Sequence, residues 1–287
     1  MTNTLDAVEQ TSLLTAALRA AETSREDRLF DDPYAARLAG DAGMGLLREI
    51  REATFPRGGE RTVPSTPDYN AIRTRFLDDL LQGAARAGAT PQVVLAPAGM
   101  DSRAYRMRWP DGTRFFELDR PAVLAYKEEQ LRSERPRVDR RAVALDLTRP
   151  GWQDGLLAAG YDPDRPSVWL LEGLLYYVGQ EDAHRLLDQV AALMAPDSRI
   201  AADLVNAAAL TLPDVRALLD VFAGWGCPWV FGTDEPEALF DAHGFQVEAV
   251  QPGDPDADYG RWPDPVPERS VTGVRRVFFV HGRKRPV

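Results

Sequence analysis

Three acids mark where this chain could do chemistry. Asp119, Asp146 and Glu172 each follow an apolar run that reads as a β-strand: Arg114-Phe115-Phe116, Ala142 to Leu145, and Ser167 to Leu171. Ligands of open parallel sheets bind outside the carboxyl ends of the strands, so the three should converge on one crevice. A carboxylate there can accept from the hydroxyls or amines of a ligand, or it can be a solvated acid or a helix cap. Gly99 stands 20 positions before Asp119, about the separation between a glycine loop and a ribose-binding acid in a nucleotide site. Around it the order is strand (Val93-Val94-Leu95), small-residue loop (Ala98 to Ser102), short crossover with Arg103 and Tyr105, Pro110-Asp111-Gly112 turn, strand, acid. An ordinary βαβ unit without a nucleotide has the same order, because a fold does not specify a function.

The glycine pattern narrows the choice of ligand. Aligned on Gly99, the three positions of the dinucleotide fingerprint are Pro97, Gly99 and Ser102. Without the first and third glycines, close approach of a pyrophosphate is poorly supported. A cofactor with a ribose for Asp119 and no phosphates fits better, and S-adenosylmethionine is the common one.

The chain resembles the leucine carboxyl methyltransferase-like family, especially its actinobacterial branch, which includes tetracenomycin-type polyketide carboxyl O-methyltransferases. The pieces that carry the resemblance run in order: REDRLFDDPYA (Arg25 to Ala35), IRTRFLDDLL (Ile72 to Leu81), AGMDSRAYR (Ala98 to Arg106), WPDGTRFFELDRPAVLAYK (Trp109 to Lys127), ALDL (Ala144 to Leu147) and LLEGLLYYV (Leu170 to Val178). The resemblance implies S-adenosyl-L-methionine as cofactor. Asp119 would then accept from the ribose hydroxyls, Asp146 and the Leu147 amide would hold the adenine, and Glu172 would face the amino-acid end. Arg73 would grip the cofactor carboxylate, for which a guanidinium fork is suited. Eukaryotic members have Gly where this chain has Pro97; proline loses the amide donor but keeps a carbonyl that can accept from the cofactor's ammonium. Arg19 and Arg25 are weaker candidates for a second contact, Asp101 reads as a loop or helix cap, Tyr105 as packing and Arg75 as surface.

Those residues need a scaffold, and the predicted elements supply one. Helical patterns at Leu5 to Ala21, from Asp31-Asp32-Pro33 to about Glu52, and at Asp68 to Ala87 make residues 1–90 an N-terminal helical cap, with a loop over Phe55 to Pro67. Residues 91–287 then alternate strand and helix, which predicts an α/β, doubly wound, mostly parallel sheet of seven strands, of the methyltransferase type. Its last strands are placed at Arg199 to Leu204, Phe245 to Val250 and Val274 to Val280. A substrate-side insert over about 205–234 and a Pro-rich loop over about 251–269 interrupt the alternation.

Composition excludes several classes of partner. The 287 residues are 44% hydrophobic and 27% charged, as in ordinary globular proteins. A net charge of −10 argues against a nucleic-acid partner. No apolar run approaches the roughly 20 residues of a membrane span, the N-terminus lacks the pattern of a secretion signal, and a cytoplasmic location is expected. Cys227 is the only cysteine, so it reads as a small buried hydrophobe and no cysteine-based metal site is expected.

The acceptor is expected to be a small molecule. Methyl transfer from a sulfonium is a displacement activated by the cofactor itself, so the protein must align the partners and exclude water. A carboxylate acceptor is already ionised, whereas an alcohol or phenol would want a base. His184 falls within a helix, His243 at a helix end and His281 at a strand terminus, where structural roles are expected, and this favours a carboxylate. Tyr176 and Tyr177 follow Glu172; Tyr177 could line the pocket or pack in the core. Two other readings stand beside this one. A nicotinamide-dependent oxidoreductase is disfavoured by the glycine pattern and the lack of a placed Tyr-x-x-x-Lys pair. A cofactor-binding protein without transfer activity would keep the same ligand motifs.

Overall fold

A computed structural model describes residues 5–54, 66–86 and 92–286. Helix α1 (Ala7–Thr23) starts from a reciprocal cap, in which Asp6 Oδ1 accepts from the Glu9 amide at 2.9 Å and Glu9 Oε2 accepts from the Asp6 amide at 2.7 Å. Helix α2 (Ala35–Thr54) is kinked at Gly40, and α3 (Thr66–Arg86) completes the helical layer. Asp32 is no simple solvent-side cap for α2: it is buried, where its carboxylate takes Arg19 Nε at 2.9 Å and the Ser102 hydroxyl at 2.7 Å. The loop expected over Phe55 to Pro67 lies largely outside the described residues, and α3 already includes Thr66 and Pro67.

The strands follow as β1 (Gln92–Leu95), β2 (Arg114–Asp119), β3 (Asp139–Ala144), β4 (Ser167–Leu171), β5 (Arg199–Val205), β6 (Phe245–Val250) and β7 (Val277–Lys284). They form one sheet in the order β3-β2-β1-β4-β5-β7-β6, parallel except for β7, which runs antiparallel between β5 and β6. Adjacent residues alternate between two cores. Val93, Leu95, Phe115, Val168, Leu170 and Phe279 face the side of α1 to α3. Val94, Phe116, Trp169, Leu171, Ile200 and Phe278 face the other side, against α6 (Trp152–Ala158), α7 (Gln180–Leu193) and α9 (Pro236–Asp241). Burial on both faces is why these strands read as continuous apolar runs. Each large side chain so buried contributes roughly 1.5–3 kcal/mol, and α7 alone commits Leu186, Leu187, Val190 and Leu193.

Two strands depart from their expected positions. β3 begins three residues before Ala142, because an edge strand needs little apolar surface: of its six residues only Val143 is buried. β7 begins three residues after Val274, where Asn206 holds both backbone groups of Arg276 and so sets the strand's entry. The strand also runs on past Val280 to Lys284, so His281 is not at a strand terminus; it sits mid-strand, paired with Ala201 and Glu248. The insert contains a helix, α8 (Arg216–Gly224), which leans on α2 through Trp225 Nε1 donating to Glu49 at 3.0 Å. Among the described residues no helix is long and apolar enough to cross a membrane.

Candidate active site

The loop after β1 turns at Gly99, whose φ of 45° is a region glycine adopts without strain. A Cβ there would lie 3.1 Å from the Ser12 Cβ of α1, so the cap closes directly over this turn. The Gly99 amide donates to Asp119 Oδ2 at 2.6 Å and the Arg120 amide to Oδ1 at 2.7 Å. Asp119 is thereby aimed at the sheet's carboxyl edge with lone pairs left over for a ligand. Burial holds its carboxyl above the usual range, against the pull of those two amides. The position of the missing third glycine is Ser102, whose hydroxyl anchors the cap through Asp32. Asp101 Oδ1 accepts from the Arg103 amide at 2.7 Å and caps the short helix α4 (Arg103–Arg106), as expected.

Asp146 lies two residues beyond β3. Its Oδ1 takes the Thr148 amide at 2.9 Å and the Thr148 hydroxyl at 2.6 Å. Partial burial would raise its carboxyl, but these bonds prevail and hold it below the ordinary value. Glu172 directly follows β4 and sits between two guanidinium groups, 3.0 Å from Arg73 Nε and 2.8 Å from Arg103 Nη1. Gly173, at φ 67°, leaves space beside the Tyr176 hydroxyl and Arg73, and donates its amide to Asp203 Oδ1 at 2.6 Å.

Arg73, on α3, is buried and doubly countered. Besides Glu172 it meets Asp203 Oδ2 at 2.8 Å, and its guanidinium lies 5.4 Å from the Tyr69 ring centre. Burial alone would weaken its hold on the proton; Asp203, Tyr69 and Glu172 outweigh it and push the group well above its usual value. Asp203, on β5, was not among the residues expected from sequence. It is fully buried and also accepts from the Tyr69 hydroxyl at 2.8 Å. The signal was there, an acid inside the apolar strand Ile200 to Val205, since a buried carboxylate demands partners. Asp78 was missed too: it takes Arg106 through both oxygens, at 2.6 and 2.7 Å, and Arg103 at 2.7 Å. Burial raises its carboxyl, yet Arg106 and Arg103 hold it below the ordinary value.

One cavity of about 710 Å³ is lined by Arg73, Pro97, Gly99, Asp119, Asp146, Leu147, Glu172 and Tyr177 together with residues of α1 and the insert, with Asp78 and Asp203 behind it. That volume lies well inside the range of small-molecule sites and leaves room for two ligands. All the site residues expected from sequence meet there. Of the weaker candidates, Arg19 lines the cavity, while Arg25 does not; it pairs with Asp27 and Glu22 at the surface. Tyr105 packs in the core against Tyr34, as expected. None of the three histidines lines the cavity. His184 and His243 bond to each other at 2.9 Å, His243 also bonds Asp188 at 2.6 Å, and His281 pairs with Glu248 at 3.2 Å. Cys227 is buried and its thiol donates to the Phe222 carbonyl. Among the described residues no cluster of His, Cys, Asp and Glu could hold a metal ion.

The residues fit S-adenosylmethionine: a glycine turn open to the cavity, an acid at the ribose position, and a carboxylate and guanidinium side by side for an amino-acid end. A parallel sheet with one antiparallel strand inserted next to its edge, and a ligand cleft at the β1–β4 switch point, define the methyltransferase class of α/β folds. A structure from Thermobifida fusca, provisionally described as a methyltransferase, shares that fold with a TM-score of 0.61 at 18% identity, over 91% of this chain and 95% of that one. The leucine carboxyl methyltransferase family profile matches residues 12–191, more than half of the chain, which therefore belongs to that family. A Frankia alni protein provisionally named an S-adenosyl-L-methionine-dependent methyltransferase is 42% identical over 264 residues, 88% of this chain and 87% of its own length. A Parafrankia relative with the same provisional name is 47% identical over 196 residues, 68% of this chain; the aligned region spans 62% of the relative.

Proposed function

We propose that the protein is an S-adenosyl-L-methionine-dependent O-methyltransferase that esterifies a carboxylate of a small molecule, of the kind found in secondary metabolism. The observation that supports the carboxylate assignment is that, among the described residues, neither a histidine nor a readily ionised hydroxyl lines the cavity. No histidine lines the cavity, and burial pushes the Tyr176 and Tyr177 hydroxyls upward, so that they stay protonated at neutral pH. Glu172 is occupied by two guanidinium groups and Asp119 by two amides. An acceptor that arrives already ionised needs none of them.

When bound, the cofactor supplies an activated methyl group on a sulfonium. The chain's own residues hold and shield the reactants. Asp119 would receive the ribose, Asp146 and the Leu147 amide the adenine, the Pro97 carbonyl and Glu172 the ammonium, and Arg73 the carboxylate. The rings of Tyr176, Tyr177, Phe222 and Trp229 wall the acceptor side and keep water out. Transfer from the sulfonium to an ionised carboxylate would need no proton moved, so no residue of this chain would have to act as acid or base.

The test uses cofactor labelled in the methyl group and a panel of organic acids and phenols. Label transferred to a product and then released as volatile methanol by mild alkali identifies an ester. Label that survives alkali is an ether and contradicts the carboxylate assignment while leaving methyl transfer intact.

A further inference from the structure

The cavity has two halves, divided where the strand order reverses between β1 and β4. Gly99, Asp119 and Asp146 lie on the β1-β2-β3 side, and Tyr176, Tyr177, Phe222, Trp229 and the residues just before β7 lie on the β4-β5-β7 side. Five arginines among the described residues line it: Arg19, Arg73, Arg120, Arg275 and Arg276. Four have a carboxylate in contact. Arg19 has Asp32 at 2.9 Å, Arg73 has Glu172 and Asp203, Arg120 has Asp6 at 2.5 Å, and Arg275 has Asp214 at 3.1 Å.

Arg276 is the exception. It is buried, at 6% exposure, and its Nη1 donates to Gln251 Oε1 and the Pro267 carbonyl, each at 2.7 Å. Its Nη2 donates to the carbonyls of Glu268 at 2.5 Å and Val271 at 2.7 Å. Among the described residues no carboxylate makes an ion pair with it. Asp234 and Asp254 act on it only at longer range, and Arg269 adds charge of the same sign. Of the acids on this side, Asp214 is paired with Arg275 and Asp254 accepts from the Gln251 amide, while Asp264 also lines the cavity. Neutral acceptors satisfy the donors of a guanidinium without cancelling its charge, and burying an uncompensated charge is costly. The cost makes sense if a ligand supplies the anion. The backbone also fixes the position: the Arg276 amide donates to Asn206 Oδ1 at 2.8 Å and its carbonyl accepts from the Asn206 amide, at the carboxyl end of β5.

We propose that Arg276 selects an anionic acceptor: the aromatic wall takes the apolar body of an organic acid, and the charge of Arg276 favours its ionised carboxylate over a neutral group. This rests on the carboxyl-methylation reading above. The same guanidinium pins the loop over 251–271, so a variant could lose binding through loop disorder alone. Arg276→Lys separates the two roles, since lysine keeps the charge and lacks the fork of donors.

The experiment is calorimetry on the full chain saturated with S-adenosylhomocysteine, with naphthoate and naphthylmethanol as probes of like shape and different charge. Wild type should bind naphthoate about tenfold or more tightly than the alcohol. Arg276→Gln should erase that preference and Arg276→Lys should retain most of it, with S-adenosylhomocysteine affinity unchanged in both. Equal affinities in wild type, binding of neither probe, a preference that survives in Arg276→Gln, or one lost in a folded Arg276→Lys would each overturn the proposal. Should Arg276→Gln fail to fold, wild type and Arg276→Lys decide it. A failure to bind S-adenosylhomocysteine would instead remove the methyltransferase reading, and this proposal with it.

Discussion

At the scale of residues, the site is held by groups behind those that face the ligand. Asp203 does not line the cavity, yet it fixes Arg73, Tyr69 and the Gly173 amide beside Glu172. Removing one partner of such a buried pair leaves a charge without compensation and typically costs about 3–5 kcal/mol. Asp203→Ala should therefore lower the unfolding free energy by that order. Asp203→Asn, whose amide oxygen still accepts, should cost less and should mainly weaken cofactor binding. Denaturant unfolding and calorimetry on both variants check this, and a stability unchanged in Asp203→Ala would show the network to be dispensable. The cavity-lining acids Asp119, Asp146 and Glu172 were legible in the sequence because each closes an apolar run. Of their supports, Asp203 left a signal as an acid inside an apolar strand, but Asp78 meets Arg103 and Arg106 across 25 and 28 positions and no local pattern encodes such a pair.

At the scale of elements, a strand's bounds were legible where an apolar run marks both of its ends. β4 and β6 lie where their apolar runs place them. β3, with Asp139, Arg140 and Arg141 in its first half, carries too little apolar surface to reveal its start. β7 shows what a shifted boundary costs in interpretation, because it moves His281 from a strand end into the sheet. There the ring packs against Phe76 with centres 5.5 Å apart. Burial depresses its pKa below the ordinary value, against the pull of Glu248 and Asp256. The unfolded chain, with a His pKa of about 6.5, then binds a proton more readily than the folded one. This contribution to stability is present above about pH 6.5 and is lost as pH falls through the folded value, with a slope of at most about 1.4 kcal/mol per pH unit. Unfolding curves between about pH 5 and 8 should show a shallower loss on acidification in His281→Gln than in wild type. Parallel pH profiles would place His281 in a solvated setting.

At the scale of the whole molecule, the helical layer of α1 to α3 and the sheet form one site between them. α1 covers the Gly99 turn, α3 brings Arg73 and Asp78 to Glu172, β5 and α4, and the insert leans on α2 beside α8. The strand reversal between β1 and β4 divides the cavity, with Asp119 and Asp146 on one side, the aromatic wall on the other, and Glu172 and Gly173 between them. The measurement that tests this most directly is equilibrium binding of S-adenosylmethionine and of NAD to wild type and to Asp119→Ala. S-adenosylmethionine should bind wild type and NAD should not. Loss of a charge-assisted hydrogen bond in Asp119→Ala should weaken S-adenosylmethionine by roughly 10- to 100-fold, about 1.5–3 kcal/mol, with the fold intact. Binding of NAD, or an unchanged S-adenosylmethionine affinity in the folded variant, would contradict the assignment of this cleft.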